Sequence, residues 1–289
     1  MTETPMECAI EGASCLIFRD APSWEARRTA SVGRFRCDSA TAGRDLLARV
    51  AADLVTERFE ALIGPMDGDT WHSYRLVTES DGSPPFLMEP VSGTFDTEAF
   101  TAAGFAPLSS YVSTRTTLDA AIAPEAVSIA GVSVKGDVSV RAWDGSDAAG
   151  LVRQLYAMSA AAFRNNAFFK PLDEQGFLKL YEPVMPLVDP RFVLFARNEA
   201  DALVGFLFGM PDRLEGAAPR TVILKTYASA QRGVGHLLAD HFHRTARDAG
   251  FTHAIHALMH VDNISLQRSA RHAGTIFRRY ALLGRRLDA

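Results

Sequence analysis

The chain has 289 residues, 47% of them hydrophobic and 22% charged, which are the proportions of a globular protein with material for a large core or two smaller ones. No run approaches the ~18 apolar residues of a membrane span, and the opening MTETPMECAIEG puts acids where a secretion signal needs basic and apolar residues, so a cytoplasmic location without membrane contact is expected. Three cysteines, Cys8, Cys15 and Cys37, have no CxxC spacing and exclude a disulfide framework or zinc site as the organising feature.

In chain order, CLIFRD (15–20) and TASVGRFRCD (29–38) are expected as strands and 41–57 as an Ala/Leu-rich helix. EALIGPM (60–66) is a further strand, and a loop with a short helix leads to the strand GFAPLSSYVSTRTTL (104–118). The segment 119–136, with Pro124 and Gly131, is the expected linker. VSVRAWD (138–144) alternates as a strand does, and Ser146 or Asp147 can cap a helix running to about Phe163. A short helix over 173–182 follows Pro171. RFVLFARNEA and DALVGFLFGM are two strands joined by a polar turn at 198–201. RTVILKTYA (220–228) is a strand, 235–248 an amphipathic helix closed by Gly250, and THAIHALMH (252–260) a strand. Asn263 opens a helix closed by Gly274, and IFRRYALLGRRL is the last strand. The first half reads β-β-α-β-α-β, which repeats the end of the second half, β-α-α-β-β-β-α-β-α-β. Two domains are therefore expected, 1–118 and 137–289, around the linker.

Charge is unevenly shared. Residues 220–289 carry eleven Lys/Arg against four Asp/Glu, and residues 1–219 carry nineteen against thirty. A basic segment on an acidic remainder suits a polyanion site, although arginines coating a solvated face give the same count. Within that segment lies the unit strand–QRGVG–helix. Gly233 and Gly235 let backbone N–H groups converge, and the helix adds the positive end of its dipole, making a cradle suited to a pyrophosphate. It has neither GxxxxGK[ST] nor the third glycine of a dinucleotide fingerprint. No GxSxG, HExxH or catalytic-cysteine signature is present, and the HxxxH spacing of His256 and His260 falls on an expected strand, so no metal site is expected.

The stretch ILKTYASAQRGVGHLLADHFHRTARDAGFTHAIHALMHVDNISLQRSARHAGTIFRRYAL resembles the coenzyme A-binding half of the GNAT N-acetyltransferase superfamily. That family's loop reads Gln/Arg-x-x-Gly-x-Gly/Ala; Gly233 and Gly235 match, while the first position is Ala230 and Gln231 sits one place later. The family often has Asn, a Tyr seven residues on and Gly-Phe four residues further; Asn263 and Gly274 match, whereas Ala270 and Thr275 stand at the Tyr and Phe positions. The resemblance covers about 155 residues. It implies an α+β fold with a mixed sheet and acetyl-CoA or another acyl-CoA as co-substrate, without metal. Backbone groups of Leu224, Lys225 and Thr226 would face the pantetheine arm, and the N–H groups of Gln231, Arg232, Gly233, Val234, Gly235 and His236 would hold the pyrophosphate. Asn263 would contact the same arm, act as a helix N-cap, or both. Lys225 could instead be a strand-edge residue.

IGPMDGDTWHSYRLVTESDGSPPFLMEP followed by GFAPLSSYVSTR looks like the N-terminal region of certain two-domain GNAT-like proteins, where a degenerate copy precedes a complete one. The counterpart of the phosphate loop, CDSATAGRDLL, has one glycine, Gly43, and no coenzyme A is expected there. Asp69, Trp71, Tyr74 and Arg75 are candidates for the wall of an acceptor site between the copies, Asp69 as anchor for a cationic amine; Trp71 can equally be core. Asn165, Asn166 and Phe168 would form a second wall or simply pack a helix end. His260, Lys225 and Tyr227 are the catalytic candidates, His260 as base where the strands diverge. The implied reaction is direct attack of a small-molecule primary amine on the acyl thioester. The altered loop and basic segment leave aminoacyl-tRNA open as donor and tRNA as partner, and the missing tyrosine leaves a non-catalytic binding protein open.

Overall fold

A computed structural model of the chain describes residues 4–122, 137–164 and 166–287. The N-terminal half contributes β1 (Met6–Ile10), β2 (Ala13–Phe18), β3 (Thr29–Cys37), α1 (Ala40–Thr56), β4 (Ala61–Gly64), β5 (Leu76–Ser80), α2 (Asp96–Ala102) and β6 (Ala106–Thr117), with a single turn α3 (Leu118–Ala121) behind it. The C-terminal half contributes β7 (Val138–Ala142), α4 (Ala148–Phe163), α5 (Glu174–Tyr181), β8 (Val193–Asn198), β9 (Leu203–Pro211), β10 (Thr221–Ser229), α6 (Val234–Asp248), β11 (His253–His260), α7 (Ile264–Arg271) and β12 (Thr275–Arg286). The result is an α+β fold on one mixed sheet.

Local chemistry accounts for the helices. In α1, Leu46, Leu47, Val50 and Leu54 recur on one buried face, and Ser39 caps the start by accepting the N–H of Ala42 at 3.1 Å. In α6, Val234, Leu238, Phe242 and Ala246 form the buried stripe that lies on β8, β9 and β10. Each fully buried Leu or Phe contributes about 1.5–3 kcal/mol. Asp147 and Asp173 cap α4 and α5 through their side chains.

The strand order is β1-β2-β3-β4-β12-β6-β11-β10-β9-β8-β7, with β5 also paired to β12. Among the described residues only β3–β4 and β10–β11 are parallel. The final strand β12 does not stay at the edge of its own half. It lies between β4 and β6, and β6 in turn lies between β12 and β11. The halves thus exchange their last strands, each 12 residues long, and Tyr111 of β6 faces Tyr280 of β12 in the antiparallel ladder. The repeat expected from element order is present as β1, β2, β3, α1, β4, α2, β6 against β8, β9, β10, α6, β11, α7, β12.

Expected element boundaries agree to within about two residues in most cases. Strands β1 and β5 are additions. The expected closure of α7 by Gly274 is corrected: Ala273 takes the left-handed conformation (φ 56), and Gly274 is small because a Cβ there would lie 2.3 Å from Ser269 Oγ. Residues 119–121 of the expected linker lie in α3; 123–136 lie outside the described residues.

Candidate functional site

The parallel pairing of β10 with β11 runs from Thr221↔His253 to Leu224↔His256 and ends there. At that point β10 bulges between Leu224 and Thr226 in its ladder with β9, and β11 shifts register against β6 between His256 and Met259. Two neighbouring strands therefore part at Lys225, leaving a wedge whose floor is Leu224 and whose sides are 225–229 and 257–260.

At one end of the wedge α6 begins. Gly233 (φ 88) caps it with no side-chain hydrogen bond, so the helix presents backbone N–H groups and its positive end. Gln231, Gly233, Val234, Gly235 and His236 are at least half-buried, and Arg232 is exposed. Sequence reasoning missed Arg268 here. Its guanidinium lies over the ring of Tyr227 at 5.7 Å, and a terminal nitrogen sits 2.4 Å from where a Gly235 Cβ would be. Its Nε–H is buried without an acceptor. Arg268 lies on α7, whose polar face reads from sequence as solvated; only the packing of α7 beside α6 turns it inward. Tyr227 thus belongs to this end of the wedge, with burial raising its phenol pKa against the opposing Arg268 charge. Burial and the charges of Arg268 and Arg271 bring His236 down to about 4, so it is neutral at pH 7. Asn263 caps α7 by accepting the N–H of Ser265 at 3.0 Å, with its side chain exposed.

At the other end, side chains from both halves meet. Lys225 donates to the carbonyl of Met88, a residue held at φ 63, at 3.0 Å. Burial and then the nearby Arg75 guanidinium push its pKa down to about 7, against the opposing pull of Glu89. The Arg75 guanidinium carbon lies 3.9 Å over the ring of Tyr74 and 3.8 Å over that of Tyr111, and Tyr111 meets the ring of His260 edge-on at 5.2 Å. His260 Nδ1 accepts the N–H of Asp262 at 3.1 Å, so the lone pair of that ring nitrogen is engaged. Behind Lys225, Glu89 is buried and fully used: Arg278 and the Phe86 N–H bond one oxygen, and Tyr280 donates to the other while bonding Ser113 at 3.0 Å. Tyr111 and Glu89 were not among the sequence candidates.

The remaining candidates lie beside this cluster. Trp71 packs against Phe163, Phe169 and Phe177, with its indole N–H on the carbonyl of Lys170 at 2.8 Å. Asp69 uses one carboxylate oxygen, Oδ1, inside its own turn, on the N–H groups of Trp71 and His72 and on the His72 ring. Phe168 packs on Ile63, Met66 and Leu282, Asn166 is exposed, and Asn165 lies outside the described residues. The structure therefore brings Lys225, His260, Tyr74 and Arg75 together, puts Tyr227 with the α6 cradle, and sets Asp69 and Trp71 in the supporting loop.

No protein-family model matches the chain, and no curated protein matches it in sequence. Solved structures do match. A GCN5-related N-acetyltransferase from Sphaerobacter thermophilus aligns over 96% of this chain and 77% of its own at 13% identity, with a TM-score of 0.57. A tandem GNAT protein from the clavulanic acid biosynthesis pathway aligns over 96% and 79% at 13% identity and a TM-score of 0.54. A probable N-acyltransferase from Enterococcus faecalis aligns over 96% and 59% at 9% identity, again at 0.54. With strands diverging ahead of a glycine-capped helix, and with two copies of that topology in one chain, the protein carries the tandem GNAT N-acetyltransferase fold.

Proposed function

We propose that the protein is an N-acyltransferase that moves an acyl group from an acyl-CoA, acetyl-CoA in the first instance, to the primary amine of a small molecule. The observation that carries this reading is the parting of β10 and β11 at Leu224/His256 directly ahead of the Gly233-capped α6. The cradle and Arg268 would take the pyrophosphate, and the free edge of β10 beyond Leu224 would take the pantetheine arm and polarise the thioester carbonyl. Lys225 is the base: with a pKa near 7 it is available to accept a proton from the acceptor's ammonium, whereas Nδ1 of His260 is engaged by the Asp262 N–H. The amine nitrogen then bonds the carbonyl carbon, the carbon–sulfur bond breaks, and the proton shed by that nitrogen goes to the leaving thiolate. Proximity supplies much of the rate, without a covalent enzyme intermediate. In this reading 1–118 and 137–289 are two units that share strands, and only the second holds a donor.

Calorimetric titration with acetyl-CoA tests the proposal. One coenzyme per chain is expected. No binding removes the donor assignment, and a stoichiometry of two removes the assignment of a single competent copy.

A further inference from the structure

Arg75 lies in the wall of the cleft where the halves meet, and its surroundings are unusual for a half-buried arginine. Among the described residues no carboxylate pairs with it. Its guanidinium carbon lies over the rings of Tyr74 and Tyr111, which meet each other edge-on, its Nε–H is buried without an acceptor, and one terminal nitrogen donates to the Tyr74 hydroxyl. Glu89, the carboxylate that acts with Arg75 on Lys225, is committed to Arg278 and Tyr280. The charge of Lys225 repels it. The backbone of Arg75 is fixed at φ 88, and its N–H bonds Pro65 O at 3.0 Å, so the side chain leaves a held point. A desolvated guanidinium in this position is costly until an anion meets it.

We infer that Arg75 is the seat of a substrate carboxylate, so that the acceptor is an amino acid-like molecule carrying amine and carboxylate together. This rests on the acyltransferase reading of the same cleft. A guanidinium whose Nε–H still lacks an acceptor can meet a carboxylate at two points, which an ammonium in its place could not. The carboxylate would cancel the repulsion that Arg75 exerts on an incoming ammonium, leaving the ammonium beside Lys225, which takes its proton. A simple amine lacks that compensation. The same carboxylate chemistry could come instead from a dicarboxylic acyl group on the donor.

The test uses the full-length protein and thiol release from acyl-CoA. Wild type, Arg75→Gln and Arg75→Lys are assayed with the protein amino acids and their decarboxylated amines, each with acetyl-CoA and with succinyl-CoA. Circular dichroism and melting check that the variants fold. The expected result is a preference for the amino acids, with KM raised about ten- to a hundredfold in Arg75→Gln, less than about threefold for the amines, and partly restored in Arg75→Lys. A preference for succinyl-CoA that Arg75→Gln abolishes supports the carboxylate seat and assigns it to the acyl side. Equal treatment of charged and neutral members on both sides, or an equal rise in KM for all in Arg75→Gln, overturns the inference. Tyrosine fluorescence on titration with free succinate needs no turnover: a response in wild type that Arg75→Gln removes upholds the seat even if acetyl-CoA fails to bind. No response in either overturns it, even if acetyl-CoA binds.

Discussion

The two parallel junctions of the sheet, β3–β4 and β10–β11, have one topology and opposite fates. In the N-terminal half the pairing runs from Thr29↔Ala61 to Ser31↔Ile63, and the chain then folds back across the opening. The N–H of Met66 bonds Val32 O at 2.8 Å, and Asp67 accepts the N–H of Arg34 at 3.0 Å. Gly33 is needed for that closure, since a Cβ there would meet Asp67 Oδ1 at 2.2 Å and Met66 O at 2.7 Å. The helix that follows is capped by its own Ser39, and Gly43 is spent on packing against Ala99, Cys37 and Phe35. In the C-terminal half the equivalent opening keeps its edges, the helix is capped by a bare glycine, and the second loop glycine faces an arginine tip. A strand divergence becomes a site only when the chain declines to fill it.

The comparison can be broken in graded steps. The largest effect is expected from acid. Seven of the eight histidines lie in the C-terminal half, and four of them, His236, His243, His256 and His272, are buried between α6, β11 and α7. His243 and His256 share a contact of 2.9 Å between ring nitrogens, His256 meets Ser269 at 2.7 Å, and His272 meets the carbonyl of Ala121 at 2.9 Å. Burial holds all four below the ordinary histidine value, His256 near 3 and His236 near 4, with Asp240 pulling His272 the other way. Their folded pKa lies below the unfolded ~6.5, so the stability they allow is complete above that pH and falls as pH drops from about 6.5 toward 4. At pH 5 each histidine kept neutral costs about 2 kcal/mol. Urea midpoints at pH 7.5 and 5 should differ accordingly, with amide exchange rising first around α6 and α7. Equal midpoints would contradict the neutral cluster.

Next comes Gly235→Glu, which puts a charge in the cradle and should weaken acetyl-CoA binding by about a hundredfold or more, with the fold retained because the Arg268 tip can swing away. Calorimetry and melting on the same sample read both. Its counterpart, Gly33→Ala, presses on backbone at Met66 and Asp67 and should cost about 1–3 kcal/mol of stability with donor affinity unchanged. The smallest step is Ser39→Ala, which removes the α1 cap for about 1 kcal/mol and should likewise leave the donor affinity alone. A loss of affinity in either N-terminal variant would mean that the closed junction does take part in donor binding.

Much of this was legible in the sequence because it is local. Periodicity at α1 and α6, the caps at Asp173 and Asn263 and the glycines of QRGVG each write their structure within a few residues. The exchange of β6 and β12 is not local: both read as ordinary apolar strands, and nothing in their alternation names a partner more than 150 residues away. The same limit applies to the site. Gly235 is visible as a loop glycine, but Arg268 is one of several arginines on a polar helix face until α7 is packed. Tyr111 alternates like its neighbours on β6, and Glu89 sits in a proline-rich loop whose course only Arg278 and Tyr280 explain. Trp71 and Asp69 are conspicuous as residue types, and what the sequence could not show is that the indole N–H meets Lys170 O and that Asp69 Oδ1 bonds within the loop.

The position of β12 also sets an order of assembly. Strand β4 and its neighbours need β12 as their middle member, and β12 begins about 160 residues after β6 ends. On a ribosome adding roughly 5–20 residues per second, the N-terminal part would wait about ten to thirty seconds with two unsatisfied strand edges. During that interval any other extended chain can occupy the gap, so nascent copies of this protein are exposed to pairing with one another in a way that the finished molecule, with the gap filled from within, is not.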